Sequence, residues 1–425
     1  MAPSTETDGR TGRSGPNAGN RPGWCPTGAH WLRAGVVLLA WLSSSWAADP
    51  LVPTAVRPLE LLWQEAKEPG LRLGMFEMHL NASAGLTYDD NLTLSSTNRQ
   101  SDLIGILSAE IFAVADRRVE GQGTLLSLDY KPTFNLFVDH PSDDAVDHYA
   151  KFSALWAGPR LTLGVSQAFQ QITAPVVEVG QRLRQRNYNT DVTSKYQLSE
   201  KTSIEVDPRL TISEVEGLIG SREWAVDTFL NWQALPKLVT AVGGSFGYVD
   251  IDQNPSERYE RALLRAVHTA TAKLDVTATV GAEWRQYNSG QASAFDPVFG
   301  LSGAYRPFDR TTLTLEAHQR EQPSTILSGQ DFTATGVTGE IRQRVGEPFF
   351  VSLAGGYEHR KYRATQPGVT ATRQDDYALV RAGVGANFLH HWTITIFYEY
   401  QQDLSSVKYQ GFRDNQVGME TTWGF

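Results

Sequence analysis

From about residue 71 to the end of the chain, apolar side chains recur at every second position in segment after segment. In FEMHLNASAGLTYDDN (76–91), Phe76, Met78, Leu80, Ala82, Ala84, Leu86 and Tyr88 form one row, and Glu77, His79, Asn81, Ser83, Gly85 and Thr87 the other. A period of two marks an extended strand with one apolar face. LDVTATVGAEWRQY sets Leu274, Val276, Ala278, Val280, Ala282 and Trp284 against Asp275, Thr277, Thr279, Gly281, Glu283 and Arg285, and SIEVDPRLTIS, EWAVDTFLNW and DYALVRAGVGANF repeat the design. The pattern predicts about 18 strands, starting near residues 76, 103, 121, 146, 160, 187, 202, 222, 238, 258, 273, 297, 311, 331, 349, 376, 392 and 414. RYERALLRAVHTATAKL is the segment whose spacing suits a helix nearly as well.

The connections sort into two kinds. ADRRVE, GP, SEKT, QALPK, HTATA, RPFDR, VGEP and HH are tight and rich in turn formers. The alternate set is longer and polar, as in DDNLTLSSTNRQSD, DHPSDDAV, ITAPVVEVGQRLRQ, RATQPGVTATRQD and QQDLSSVKYQGFRD. Short turns at one end and long loops at the other are the habit of bacterial outer-membrane barrels. In the strongest segments the apolar row carries almost no charge, whereas the opposite row mixes acids, Arg, Ser, Thr and Gly. A strand enters a bilayer only in a closed sheet, where every amide is paired. The expected fold is therefore all-β, a transmembrane antiparallel up-and-down β-barrel of about 18 strands with short periplasmic turns and long extracellular loops.

Aromatic residues support this orientation. Trp156, Trp232, Tyr305, Phe388, Trp392, Trp423 and Phe425 fall near the short-turn end, and Trp224, Tyr248, Trp284, Tyr357, Tyr398 and Tyr400 near the long-loop end. Two belts are expected where amphipathic rings sit at both interfaces. Trp224 and Trp232 share a row eight residues apart. That spacing is about 21 Å along the membrane normal for a strand tilted by roughly 40°.

Composition narrows the class. The 425 residues carry a formal net charge of −9, and no basic stripe is available to neutralise phosphates, so nucleic acid is excluded as a partner. Arg33, the apolar run Ala34 to Leu42 and the small residues of Ser45-Trp46-Ala47 predict a signal peptide over 1–47. A single N-terminal anchor helix is the alternative. Residues 48–70 form a periplasmic lead and 71–425 the barrel. Cys25, the only cysteine, precedes the apolar run, so a mature chain has no disulfide to rely on. Without residues 1–47 the chain holds 34 basic and 45 acidic residues. Localisation in the outer membrane of a Gram-negative bacterium follows.

The chain ends in NQVGMETTWGF, with Val417, Met419, Thr421, Trp423 and Phe425 on one row. This resembles the C-terminal signal by which barrel-assembly machinery recognises its clients, with Glu420 where glycine is usual. YDDNLT (88–93), LDYKPTFNLF (128–137) and AYRPFDRTTLTLEAHQRE (304–321), together with that terminus, resemble the β-barrel porin 2 family. The resemblance spans about 71–425 and rests largely on general barrel grammar. It implies an outer-membrane barrel of the kind often encoded near exopolysaccharide genes.

Candidate chemistry is sparse. His79, His268, His318 and His359 lie on different strands, His390-His391 lies in a tight turn, and no HExxH, P-loop or CxxC occurs; the one GxSxG match, Gly243-Gly244-Ser245-Phe246-Gly247, falls inside the strand expected from 238 and not at the strand-to-helix turn that motif needs. No enzyme activity, cofactor or metal is expected. Asp89-Asp90-Asn91 reads as a polar turn in preference to a cation site. The inward row mixes signs, with Arg261, Arg265, Glu283, Arg285, Glu340, Arg342, Arg344, Glu358, Arg360 and Arg381 as candidate lumen charges, and Tyr149, Tyr287 and Tyr377 as inward rings. These charges either line a watery lumen and select solutes or pair across strands and satisfy one another. The leading expectation is a porin-like channel for small solutes or oligosaccharides, or for surface-polysaccharide export, in contact with outer-membrane lipid and lipopolysaccharide. A plugged scaffold barrel and a barrel lipid hydrolase are the alternatives.

Overall fold

The computed structural model describes residues 70–425 except 180, 272, 389, 390 and 425. The expected signal segment, the lead up to residue 69, His390 and Phe425 lie outside the described residues. Strands β1 (Leu71–Leu73), β2 (Phe76–Asp89), β3 (Asp102–Asp116), β4 (Gly123–Phe137), β5 (Ala145–Ala157), β6 (Leu161–Val176), β7 (Gln181–Gln197), β8 (Thr202–Val215), β9 (Ser221–Leu235) and β10 (Leu238–Ile251) make the first half. The second half is β11 (Glu257–Thr271), β12 (Leu274–Tyr287), β13 (Ala294–Tyr305), β14 (Thr311–Pro323), β15 (Gln330–Gly346), β16 (Phe349–Ala364), β17 (Gln374–Phe388), β18 (Trp392–Ser405) and β19 (Phe412–Gly424). Each strand from β2 onward pairs antiparallel with the next. β19 returns to β2 through Val417↔Tyr88 and Met419↔Leu86, closing an 18-strand barrel. β1 is a short arm folded back on the start of β2.

Closure explains why β11 is a strand despite its Ala, Leu, Arg and Glu content. Its neighbours pair with it along nearly its full length, from Leu238↔His268 to Val249↔Glu257 on one side and Val276↔His268 to Tyr287↔Glu257 on the other. Those amides would lose their partners if it coiled, so sheet context overrides helix propensity.

The wall is inverted relative to a soluble protein. On β12, Val280 and Trp284 are 53% and 50% exposed, whereas Glu283 and Arg285 between and beside them are each 2% exposed. β9 repeats this, with Trp224, Val226, Leu230 and Trp232 exposed and Ala225, Phe229 and Asn231 buried. Exposed apolar rows of this extent require a hydrocarbon surrounding. The barrel therefore spans a membrane.

The exposed rings Trp156, Trp232, Tyr305 and Trp392 lie toward the short turns, and Trp224, Tyr248, Trp284, Tyr357 and Tyr398 toward the loops. Register puts Trp224 beside Tyr248, Trp284 beside Phe295, and Trp392 between Phe388 and the half-buried Trp423. The strands also run further than the pattern predicts. β6 and β7 stay paired to Val176↔Gln181, so most of ITAPVVEVGQRLRQ is ladder and only 177–180 turns. With 17 residues and a tilt of roughly 40°, β7 spans about 44 Å along the membrane normal, well beyond an apolar band of roughly 25 Å. β6 and β7 thus stay paired beyond the bilayer, up to their connecting turn.

Candidate functional site

Among the described residues of the wall one local arrangement occurs four times. An inward glycine faces an inward aromatic across the ladder, as in Gly243↔Phe229, Gly247↔Tyr259, Gly385↔Phe350 and Gly418↔Phe397. In each pair a Cβ on the glycine would overlap the neighbouring ring. The ring lies flat against the wall, and an arginine covers it. Arg265 stands 4.0 Å over Phe229, Arg261 4.1 Å over Tyr259, Arg342 3.8 Å over Phe350 and Arg381 3.7 Å over Phe397. Such stacking steadies the arginines beside the carboxylates that Arg261, Arg265 and Arg381 also bond, and fills lumen volume with a rigid ring. Gly247→Ala is expected to lift Tyr259 and cost about 1–3 kcal/mol by overpacking, read as a lower urea midpoint in detergent.

The expected lumen charges sit as follows. Arg261 donates to Glu283 at 2.6 Å, and Arg285 donates to Glu283 at 2.8 Å and to Glu257 at 2.9 Å, with all four side chains 2% exposed or less. Arg360 donates to Glu358 at 2.6 Å, and His318 meets the same carboxylate at 3.2 Å. Arg381 donates to Glu399 at 3.0 Å. Arg265 pairs with Glu205 and donates to Asn231 at 3.0 Å. Glu340 and Arg342 share the half-buried inward row of β15, and Arg344 at the turn end donates to the Asp309 carbonyl at 2.6 Å. At Arg261, Glu283, Arg285, Glu358 and Arg360 the geometry is that of buried pairing. Free lining of a watery tube is not what these residues show. Tyr259, missing from the expected rings, donates to Glu223 and accepts from Arg209 at 3.0 Å, and Arg209 also pairs with Asp227.

At the loop end the wall does something alternation alone does not reveal. β13 and β14 pair only from Phe299↔Gln319 to Tyr305↔Leu313, so 294–298 and 320–323 face each other unzipped. Pro297 and Pro323 stand on these edges, where a missing amide is tolerated. Above this seam the upper parts of β14–β16 turn into the barrel. Asp331, Glu321 and Arg363 belong by parity to the outward rows of Val337, Leu315 and Tyr357, which are exposed. Yet Asp331 is fully buried 3.8 Å from Arg285, Glu321 accepts from Tyr287 at 3.1 Å, and Arg363 grips Asp296 at 2.5 and 2.8 Å. Arg285, Tyr287 and Asp296 are inward residues of β12 and β13. The outer face of the tucked segment therefore packs on the inner face of β11–β13.

The other side of this segment is held from across the lumen. Glu178, in the turn between β6 and β7, accepts from Ser324 Oγ at 2.8 Å, Thr325 N at 3.0 Å, Thr325 Oγ1 at 2.5 Å and Tyr362 Oη at 3.0 Å. Ile219 N donates to the Thr325 carbonyl at 2.9 Å, and Asn254 Oδ1 accepts from Ser328 Oγ and Gly329 N at 2.6 and 2.9 Å. Three loops thus fasten the 324–329 tip. The first loop also folds inward. Asn91 donates to the Arg413 carbonyl at 2.7 Å, and Leu94 packs with Tyr377, Leu379, Phe412 and Val177. Asp89-Asp90-Asn91 is a structural turn, with Asn91 N donating to Asp89 at 2.8 Å and Asp90 accepting from Asn415.

The histidines stay apart. His318 meets Glu358, His359 meets Asp376 at 2.8 Å, and His79 lies 3.7 Å from Glu77. Among the described residues no three His, Cys, Asp or Glu side chains form a group suited to a metal.

These features define a membrane-spanning antiparallel barrel with a charge-paired, ring-lined wall and a mouth crossed by its own chain. It is similar to solved structures of Pseudomonas aeruginosa OccK3 (OpdO), at 8% identity and TM-score 0.45 over 82% of this chain and 96% of that one. Acinetobacter baumannii OccAB4 is similar at 10% identity and TM-score 0.45 over 83% and 99%, and Pseudomonas aeruginosa OccK2 (OpdF) at 9% and 0.45 over 83% and 98%. At those values the likeness is one of barrel architecture alone. No protein-family model and no curated protein matches the chain, so the resemblance to the β-barrel porin 2 family rests on its motifs.

Proposed function

We propose that the protein is an outer-membrane channel for small hydrophilic solutes, gated at its loop end by the tucked β14–β16 segment. The observation that supports this reading most directly is Glu178. A carboxylate with four donors fastens the segment from the opposite wall, while the β13 edge that would receive it lies unzipped beside it. Swinging the segment back to pair with 294–298 would clear the mouth without breaking the barrel below Phe299. Surface polysaccharide, the cargo implied by the family resemblance, would thread the same gate. β19 would be the strand read by the assembly machinery, and the exposed rows would meet outer-membrane lipid and lipopolysaccharide.

Glu178→Ala removes hydrogen bonds to a charged acceptor. A net loss of about 1.5–3 kcal/mol multiplies the open-to-closed ratio roughly 10–100-fold. Planar-bilayer recording of wild type and variant, with a panel of neutral and charged oligosaccharides, is the test. Rare stepwise openings in wild type and frequent ones in the variant are expected. Silence in both favours the second reading, a plugged scaffold barrel, which the saturated bonding of the 324–329 tip also suits.

A further inference from the structure

We propose that the lipid side of the wall, at the turn end of β11–β15, holds the head group of an anionic phospholipid. The site is an open cleft of about 430 Å³ lined by Lys273, Phe308, Asp309, Arg310, Thr311 and Gln343. That volume lies within the range of small-molecule sites, roughly 300–1,000 Å³. Thr311 pairs with Gln343, and by alternation both share outward rows with the exposed Leu315, Ile341 and Val345. The cleft therefore opens toward the bilayer and not toward the lumen. It lies just beyond Tyr305, an exposed ring of the turn-end belt that pairs with Leu274. Its depth is that of phospholipid head groups in the periplasmic leaflet.

Local bonds fix the frame. Thr311 N donates to the Phe308 carbonyl at 3.1 Å, and Arg344 N to the Arg310 carbonyl at 2.8 Å. Lys273 Nζ donates to the Pro307 carbonyl at 3.2 Å, and Thr311 Oγ1 to Gln343 Oε1 at 2.6 Å. Lys273, Arg310 and Arg344, whose guanidinium donates to the Asp309 carbonyl, stand against one local carboxylate, that of Asp309. Asp275 beside them is already matched by Arg306 at 3.6 Å. Arg310 itself forms no ion pair among the described residues. An excess of cations at head-group level attracts an anionic lipid, and a guanidinium takes two phosphate oxygens at once. Phe308 is 70% exposed in the same turn. Glycerol and acyl carbons would shelter that ring, which favours a lipid over free phosphate.

The test is calorimetric binding of dihexanoyl-phosphatidylglycerol to the full barrel in detergent, against dihexanoyl-phosphatidylcholine and inorganic phosphate. It is run on wild type, K273Q/R310Q and D309N. All three substitutions fall on exposed turn residues, and heat-modifiable mobility checks folding. Saturable binding of the anionic lipid, weakened about fivefold per cation removed and tightened in D309N, supports the site. Equal binding of both lipids, or an affinity unchanged in both variants, overturns it. Phosphate binding as tight as the lipid overturns it too, marking a site for soluble anions instead. Should K273Q/R310Q fail to fold, D309N alone decides, tighter binding supporting the site and unchanged binding overturning it. None of these outcomes depends on conductance, so the channel reading stands or falls separately.

Discussion

Arg285→Met is expected to destabilise the barrel by about 3–5 kcal/mol, the largest loss of any single substitution considered. Arg285 is 2% exposed and lies among Glu283, Glu257 and Asp331, at 2.8, 2.9 and 3.8 Å. A buried pair adds little over an apolar substitute, because desolvation offsets the attraction. Removing one partner, however, strands the other charge in a poor dielectric. Here three carboxylates lose their shared cation at once. Methionine keeps much of the packing volume, so the cost reports charge and not a cavity. Urea unfolding in detergent, followed by tryptophan fluorescence, measures it. A loss below about 1 kcal/mol would mean these groups are solvated as surface pairs are, and the lumen is then wet at this level. Arg344→Ala at the turn end is the comparison, expected within about 0.5 kcal/mol. Because Asp331 belongs to the tucked segment, Arg285→Met also loosens that segment from β12.

The difference between Arg285 and Arg344 shows what alternation carries. Both are inward arginines in segments of equal clarity, and the pattern placed the strands around them well: β12 begins at Leu274 against an expected 273, and β16 at Phe349 as expected. Period two fixes a face and a span, and with turn chemistry it fixes the neighbour. It does not say how far the ladder zips. DFTATGVTGEIRQR alternates in the same way whether its upper half stands in the wall or leans inside it, so the tucked β14–β16 segment was invisible. Its faint trace is the pair of prolines at the seam, Pro297 and Pro323.

Register is the second hidden quantity. Gly247 and Tyr259 are separated by a turn of variable geometry, and only their pairing shows that the glycine makes room for the ring. Phe229, Phe350 and Phe397 face inward by alternation with the exposed Leu230, Val351 and Tyr398, and register adds only the glycine beside each ring. Glu178 was hidden differently, as one acid in a loop-like VVEVG whose partners lie at Ser324, Thr325 and Tyr362. No local rule connects positions so distant in the chain.

Leu264→Arg is expected to cost about 2–4 kcal/mol in a bilayer, and the sign of the effect is as informative as its size. Register lines up Leu230, Val242, Leu264 and Val280 across β9–β12, all exposed and roughly midway between the two aromatic belts. An arginine there must carry its charge into hydrocarbon or distort the bilayer to reach water. Leu235 is equally exposed, at 58% against 59%, but lies at the turn end of β9 beyond Trp232. Leu235→Arg can reach the interface and should cost only about 0–1 kcal/mol. Equal exposure with unequal cost is the signature of depth in a membrane. In water, the same two substitutions would trade exposed leucines for charges and leave stability within about 0.5 kcal/mol. Urea unfolding of both variants in phosphocholine vesicles distinguishes the two cases. Equal costs at the two positions would remove the bilayer as the solvent of this wall, and the gated channel with it.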